Sequence, residues 1–128
     1  MKVIWHPRAE TAKLQVADYI REQFGFKRKK AFMQEVRQMT QKLRRSPYIG
    51  QIDPLFEGRA KTYRSVIVNG LNKMVYYIED DTVHIAAFWD TRMEPNEQRD
   101  QTIARNESDE SRERSTESQP EEQAARVK

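Results

Sequence analysis

The apolar residues of this chain change their spacing near residue 60. Between residues 8 and 45 they recur at every third or fourth position, which indicates helices with one buried face. Between residues 62 and 90 they lie in short runs rich in Val, Ile, Tyr and Phe, which is typical of strands. Two helices followed by a group of strands predict a layer of helices packed against a sheet.

The two predicted helices have clear ends. Pro7 suits the first position of a helix, so the first helix is expected over residues 8–24, where Gly25 ends it. The second is expected over residues 27–45 and ends before Pro47, because the residue preceding a proline avoids the helical region. The predicted buried stripes are Ala9, Ala12, Val16, Tyr19, Ile20 and Phe24 in the first helix, and Phe32, Val36, Met39 and Leu43 in the second.

Three strands are predicted over residues 62–68, 72–79 and 82–90. Asn69-Gly70 and Asp80-Asp81 separate them and are hairpin turn signals, so the strands form an antiparallel meander. Residues 2–5 are expected to add a fourth strand, and residues 46–58 to form a loop whose apolar side chains pack on the core. The predicted fold class is therefore α+β, a two-helix hairpin packed on a sheet of three or four mainly antiparallel strands.

The core must come from the first part of the chain. Residues 1–95 hold every aromatic residue and carry 17 Lys and Arg against 11 Asp and Glu, a net charge of +6. Residues 96–128 carry 6 and 9, a net charge of −3, and consist largely of Ser, Glu, Arg and Gln. Such a composition buries too little apolar surface to offset its ordering entropy. We predict one domain over residues 1–95 and a disordered acidic tail over residues 96–128.

Composition excludes several classes of protein. The chain has no cysteine, which excludes disulfides, thiolate zinc sites and a cysteine nucleophile, and it has only two histidines. Its four glycines are not clustered, so it has no phosphate-binding loop. We therefore expect neither a metal nor a cofactor. No apolar run approaches the roughly 18 residues of a membrane span, and the first residues do not read as a signal peptide, so we expect a cytoplasmic protein that does not bind membranes.

The order of these elements, together with several short segments, resembles the RelE/ParE superfamily of toxins from type II toxin–antitoxin systems. The matching segments are residues 3–9 (VIWHPRA), 16–20 (VADYI), 43–50 (LRRSPYIG), 63–68 (YRSVIV), 75–78 (VYYI) and 83–95 (VHIAAFWDTRMEP). The resemblance implies a growth-inhibiting bacterial toxin of the kind associated with plasmid stabilisation. It also implies a cognate antitoxin that neutralises the toxin in a hetero-oligomer.

The resemblance leaves the target open. ParE-like toxins inhibit DNA gyrase and are not known as nucleases, whereas RelE-like toxins cleave mRNA in the ribosomal A site. The long first helix is more similar to ParE. Many RelE-like nucleases carry a tyrosine or basic residues near their C-terminus, whereas past Arg92 this chain has no Tyr, His or Lys until Lys128. We favour gyrase inhibition, with a metal-independent endoribonuclease as the alternative. A third possibility is an inactive binding module of the same fold.

A nuclease would need a proton-transfer group and cations for the charged transition state. The candidate catalytic residues are Arg64, His84 and Arg92. Strand alternation predicts His84, Phe88 and Asp90 on one sheet face and Val83, Ile85 and Trp89 on the other. The structural alternatives are a half-exposed strand histidine for His84, an ion pair with Asp90 for Arg64, and a turn clasp with Asp90 for Arg92.

A gyrase inhibitor needs only a contact surface. The candidate contacts are the basic start of the second helix together with Lys61, namely Lys27, Arg28, Lys29, Lys30 and Lys61. Four cations at a helix N-terminus oppose the helix dipole, which is compatible with a surface that faces phosphates or an acidic partner. The structural alternative is a solvated helix entry.

Overall fold

The structure is a computed structural model that describes residues 1–91. The chain begins with β1 (Lys2–Trp5), continues through α1 (Pro7–Phe24) and α2 (Phe26–Arg45), and returns to the sheet at β2 (Gln51–Ile52). A 3₁₀ helix (Pro54–Phe56) leads to β3 (Arg64–Val68), β4 (Asn72–Glu79) and β5 (Thr82–Asp90). Arg92 and the predicted tail, residues 96–128, lie outside the described residues, as does the predicted domain boundary at residue 95.

The strands form one sheet in the order β1-β5-β4-β3-β2. All neighbours are antiparallel except β1, which pairs with β5 in parallel. The predicted fold class, two helices on a mainly antiparallel sheet, is confirmed. The prediction that residues 46–58 form only a loop is wrong, because Gln51 and Ile52 pair with Ser65 and Arg64 as a fifth strand. A strand of two exposed residues is too short to show a period in the sequence.

The predicted turns and caps are present. Asn69, Gly70, Asp80 and Asp81 all have positive φ, as hairpin turns of this kind require. Gly25 has a φ of 96° and donates its N–H to Arg21, which ends α1 and allows α2 to start at once. The α1–α2 hairpin carries the chain from one edge of the sheet to the other.

One face of the sheet packs against the two helices. The buried stripe of α2 contains Phe32, Val36 and Leu43, as predicted, and Met39 packs beside it. The helices cover Val68, Met74, Tyr76, Val83, Ile85 and Phe88 of the sheet. In α1 only Ala9 and Ala17 are fully buried.

A β-bulge in β5 corrects the predicted strand faces. Val75 pairs with Ala87 and Tyr76 pairs with Ile85, so Ala86 is left as an extra residue. The alternation therefore shifts after Ile85. Phe88 joins the helix-side core and Trp89 lies on the opposite face, the reverse of the prediction for both residues.

The second face is covered by the segment between α2 and β3. Phe56 and Tyr63 pack there against Val75, Tyr77, Ala86, Ala87 and Trp89. The segment is held by Tyr76, whose hydroxyl donates to the Pro47 carbonyl at 2.7 Å and accepts the Gly50 N–H at 3.0 Å. Gly50 has no room for a side chain, because a Cβ atom would lie 2.5 Å from the Tyr76 hydroxyl oxygen.

Candidate functional site

An open groove lies where α1 and α2 meet the β3–β4 turn and the end of β5. Its volume is about 720 Å³. The walls are largely apolar and include Tyr19, Ile20 and Phe24 of α1, Phe32 of α2, and Leu71 of the turn. Glu35 bridges two walls, since its carboxylate accepts the backbone N–H of Asn69 at 2.6 Å.

Two of the groove residues correct the predicted stripe of α1. Tyr19 and Phe24 are 58% and 57% exposed, although the helical spacing predicts both in the core. The end of α1 extends beyond the small sheet, so its apolar stripe continues past the residues it can pack on. Helical periodicity reveals an apolar stripe but does not show how much of that stripe packs against the rest of the protein. The sequence alone therefore does not locate the groove.

The predicted basic contact residues begin beside this groove. Arg28 lines it and places its guanidinium 5.3 Å from the centre of the Phe24 ring. Lys27 and Lys30 are exposed and Lys29 is half-buried. The stretch therefore forms a charged border to an apolar opening at the tip of the helical hairpin.

Lys61 lies apart from this stretch. Its ammonium group is 3.3 Å from a Glu79 carboxylate oxygen and 4.9 Å from the centre of the Tyr77 ring. Glu79 ends β4, whereas Asn72, which lines the groove, begins it. Seven residues of an antiparallel strand span about 24 Å, so Lys61 does not share a surface with Lys27–Lys30.

His84 lies on the face away from the helices, where it is half-buried. Its ring stacks on Tyr77 at 4.8 Å with an angle of 7° between the rings. Its Nδ1 lies 3.5 Å from Nε2 of His6, which is 1% exposed at the start of α1. The sequence gives no sign of this histidine pair, since the two residues are 78 positions apart and only the parallel pairing of β1 and β5 brings them together.

The surroundings of His84 favour its neutral form. Burial is the largest cause that lowers its pKa from the ordinary value of 6.5, and the neighbouring His6 lowers the pKa further. Glu79 acts in the opposite direction, and Lys61 has a smaller lowering effect. Tyr77 stacks on the ring and His6 contacts it, so the histidine is a half-buried group engaged in packing.

Arg64 lies on the other face of the sheet from His84. Its cross-strand neighbour is Tyr76, which belongs to the helix-side core. The guanidinium donates to the Gly50 carbonyl at 2.8 Å and to the Tyr48 carbonyl at 3.3 Å. The suggested ion pair with Asp90 is wrong, because Asp90 pairs with Asn72, the first residue of β4, whereas Arg64 pairs with Tyr76 in its middle. Arg64 and His84 are thus not brought together.

The described residues contain no cluster of three or more His, Cys, Asp or Glu side chains with a metal-binding arrangement. Over the same part of the chain, no helix is both long and apolar enough to cross a membrane.

Comparison with known proteins finds this architecture in a solved structure. A solved chain described as "Chromosomal ParDE TA system from P. aeruginosa" has the same fold, with a TM-score of 0.60 at 12% sequence identity. The alignment covers 72% of this chain and 97% of that chain. No curated protein sequence matches.

The family follows from the sequence match. Residues 3–95 match the family described as "ParE toxin of type II toxin-antitoxin system, parDE". The chain belongs to the ParE toxin family of type II toxin–antitoxin systems. It is accordingly a toxin with a cognate antitoxin, as the resemblance implied.

Proposed function

We propose that this toxin inhibits DNA gyrase in the cytoplasm, and that a segment of its antitoxin neutralises it by filling the groove. The observation that carries the proposal is the position of an exposed basic stretch beside an open apolar groove. An antitoxin segment in the groove would pack on Phe24 and cover Arg28, so it would also obstruct the target-contact surface.

The alternative, a ribosome-dependent nuclease, receives less support from the geometry. A proton acceptor must reach the substrate hydroxyl directly or through one water. His84 is half-buried and contacts His6 and Tyr77, and Arg64 is bonded to backbone carbonyls on the opposite face of the sheet. The inactive binding module would keep the groove and lose toxicity.

The target assignment is tested by charge reversal. The variant Lys27→Glu, Arg28→Glu, Lys30→Glu is expected to abolish growth arrest and the inhibition of gyrase supercoiling by the purified toxin. The matched control is Arg8→Glu, Arg21→Glu, Arg59→Glu, which reverses three exposed cations elsewhere on the domain. The control should remain toxic. Equal loss in both variants would contradict the assignment.

The nuclease alternative is tested in the same cultures. His84→Gln should leave growth arrest intact, because gyrase inhibition asks no proton transfer of this residue. Circular dichroism checks that the variant is folded. Loss of toxicity in a folded His84→Gln protein, with mRNA cleavage in the wild type and intact supercoiling, would favour the nuclease. A wild-type chain that is folded yet not toxic would favour the inactive module.

The groove is tested with two phenylalanines that flank Gly25. Phe24→Asp should weaken antitoxin binding strongly and leave toxicity in place even when the antitoxin is present. Phe26→Asp is the matched control, because Phe26 is 67% exposed and does not line the groove. If both variants bind the antitoxin like the wild type, the groove is not its site.

A further inference from the structure

The outer surface of α2 is basic along its entire length. At about 100° per residue, Lys27, Lys30, Arg37, Lys42, Arg44 and Arg45 fall within one arc that faces away from Val36 and Leu43. All six side chains are exposed. Within residues 1–91, none of them is paired with a carboxylate. We call these six residues the α2 basic face.

The single carboxylate of α2 lies outside this face. Glu35 lines the groove and is engaged by the N–H of Asn69. The residues that separate the cations on the outer surface are the neutral, hydrogen-bonding side chains Gln34, Gln38 and Gln41. The face therefore combines positive charge with amide donors over its whole length, which is the composition that contacts phosphate oxygens.

We propose that the α2 basic face binds the phosphate backbone of duplex DNA. From Lys27 to Arg45 the helix spans about 27 Å, and a DNA duplex carries about one negative charge per 1.7 Å of its axis. Lys30, Arg37 and Arg44 follow one another at intervals of about 10 Å, so several phosphates can be contacted at once.

The same surface is poorly suited to other partners. Between Lys27 and Arg45 it has no aromatic side chain, and single-stranded nucleic acids are bound by stacking on aromatic rings. An acidic protein would require an apolar or aromatic centre, and Ala31 at the groove border is the largest apolar side chain available. The choice of duplex DNA over duplex RNA rests on the proposed function, because gyrase acts on duplex DNA.

The binding needs no gyrase and can be measured alone. The probe is a DNA duplex of arbitrary sequence and about 30 base pairs. It is titrated with the full-length chain at several salt concentrations between about 50 and 200 mM. The test variant is Arg37→Gln, Arg44→Gln, Arg45→Gln. Glutamine preserves helix propensity and removes only the charge. The matched control is Arg8→Gln, Arg21→Gln, Arg59→Gln, which makes the same change of net charge at other exposed arginines.

The expected result is a difference in salt dependence. Each lost phosphate contact lowers the slope of log affinity against log salt by about 0.9, so the test variant should lose about 2.7 from the slope. The control should keep the slope of the wild type. Both variants should retain the wild-type thermal midpoint within a few degrees, which shows that they are folded.

Three results would overturn the proposal. The first is an equal loss of slope in both variants, since only net charge would then matter. The second is the absence of duplex binding at the lowest salt. The third is equal or tighter binding of single-stranded DNA, duplex RNA or polyglutamate. None of these results bears on gyrase inhibition, which is measured by supercoiling, because the test variant leaves Lys27, Arg28 and Lys30 unchanged.

Discussion

The two faces of the sheet are closed by different kinds of interaction. On the helix side, apolar side chains such as Phe32, Leu43 and Phe88 pack together, and the end of α1 extends beyond the sheet, which leaves the groove. On the opposite side, rings stack under the segment between α2 and β3, where Asp53 pairs with Lys73. The start of that segment is held from the helix side by polar bonds of Tyr76 and Arg64. The first arrangement leaves an apolar surface for a partner. In the second arrangement, titratable side chains of the sheet are engaged in packing.

The largest effect is expected from the ion pair beneath the covering segment. Lys73 on β4 lies 2.9 Å from Asp53, and the side chains are 14% and 4% exposed. Asp53→Ala should destabilise the protein by about 3–5 kcal/mol, because it leaves a poorly solvated lysine without its partner. Denaturant unfolding measures the change.

Two variants sharpen this comparison. Adding Lys73→Met to Asp53→Ala should recover part of the loss, since no unpaired charge then remains. Glu79→Ala removes the partner of Lys61 in a more exposed pair and should cost no more than about 1 kcal/mol. Equal losses in the two single variants would mean that the covering segment does not depend on its buried charges.

The next effect concerns the hydroxyl that anchors this segment. Tyr76→Phe removes the bonds to Pro47 and Gly50 and should cost about 1–3 kcal/mol, because both backbone groups lose a partner. Tyr48→Phe is the control, since the Tyr48 side chain is exposed. An unchanged midpoint in Tyr76→Phe would show that apolar packing alone holds the segment.

The sequence predicts the parts of this fold that depend on local patterns. Helical spacing identifies α1, α2 and the buried Phe32, Val36 and Leu43, and Asn69-Gly70 and Asp80-Asp81 identify the hairpins. The order of these elements, together with the short matching segments, is sufficient to identify the family. The match over residues 3–95 confirms that identification.

The parts that the sequence does not predict depend on contacts between distant residues. The bulge at Ala86 reverses the faces of Phe88 and Trp89, and nothing in the sequence of β5 distinguishes the extra alanine from its neighbour. The engagement of Arg64 with Gly50 and Tyr48 depends on where the covering segment folds back. The roles proposed for the basic residues remain predictions.

A smaller effect is expected from pH. Because burial, helped by His6, lowers the pKa of His84 in the folded protein, the unfolded chain takes up this proton first as the pH falls. The contribution of His84 to the stability of the folded protein is therefore fully present above the ordinary pKa of 6.5, and it is lost as the pH falls below that value. His84→Gln should flatten the decrease in stability between pH 8 and pH 5. An unchanged profile would mean that groups other than His84 set the pH dependence of stability.

The smallest effect on stability is expected from deleting residues 96–128. That segment lies outside the described residues, and its only apolar residues are Ile103, Ala104, Ala124, Ala125 and Val127, so it offers little apolar surface to bury. The truncated chain should keep its thermal midpoint. A fall of more than a few degrees would mean that the segment packs on the domain, for example in the groove.

The same deletion also tests whether residues 96–128 act through their charge. It changes the net charge from +3 to +6, because the removed residues carry 6 basic and 9 acidic side chains. If the acidic segment competes with DNA for the α2 basic face, the truncated chain should bind the duplex more tightly than the full chain. The gain should be largest at low salt, where screening is weakest. Unchanged duplex binding with an unchanged midpoint would mean that the segment touches neither the groove nor the basic face.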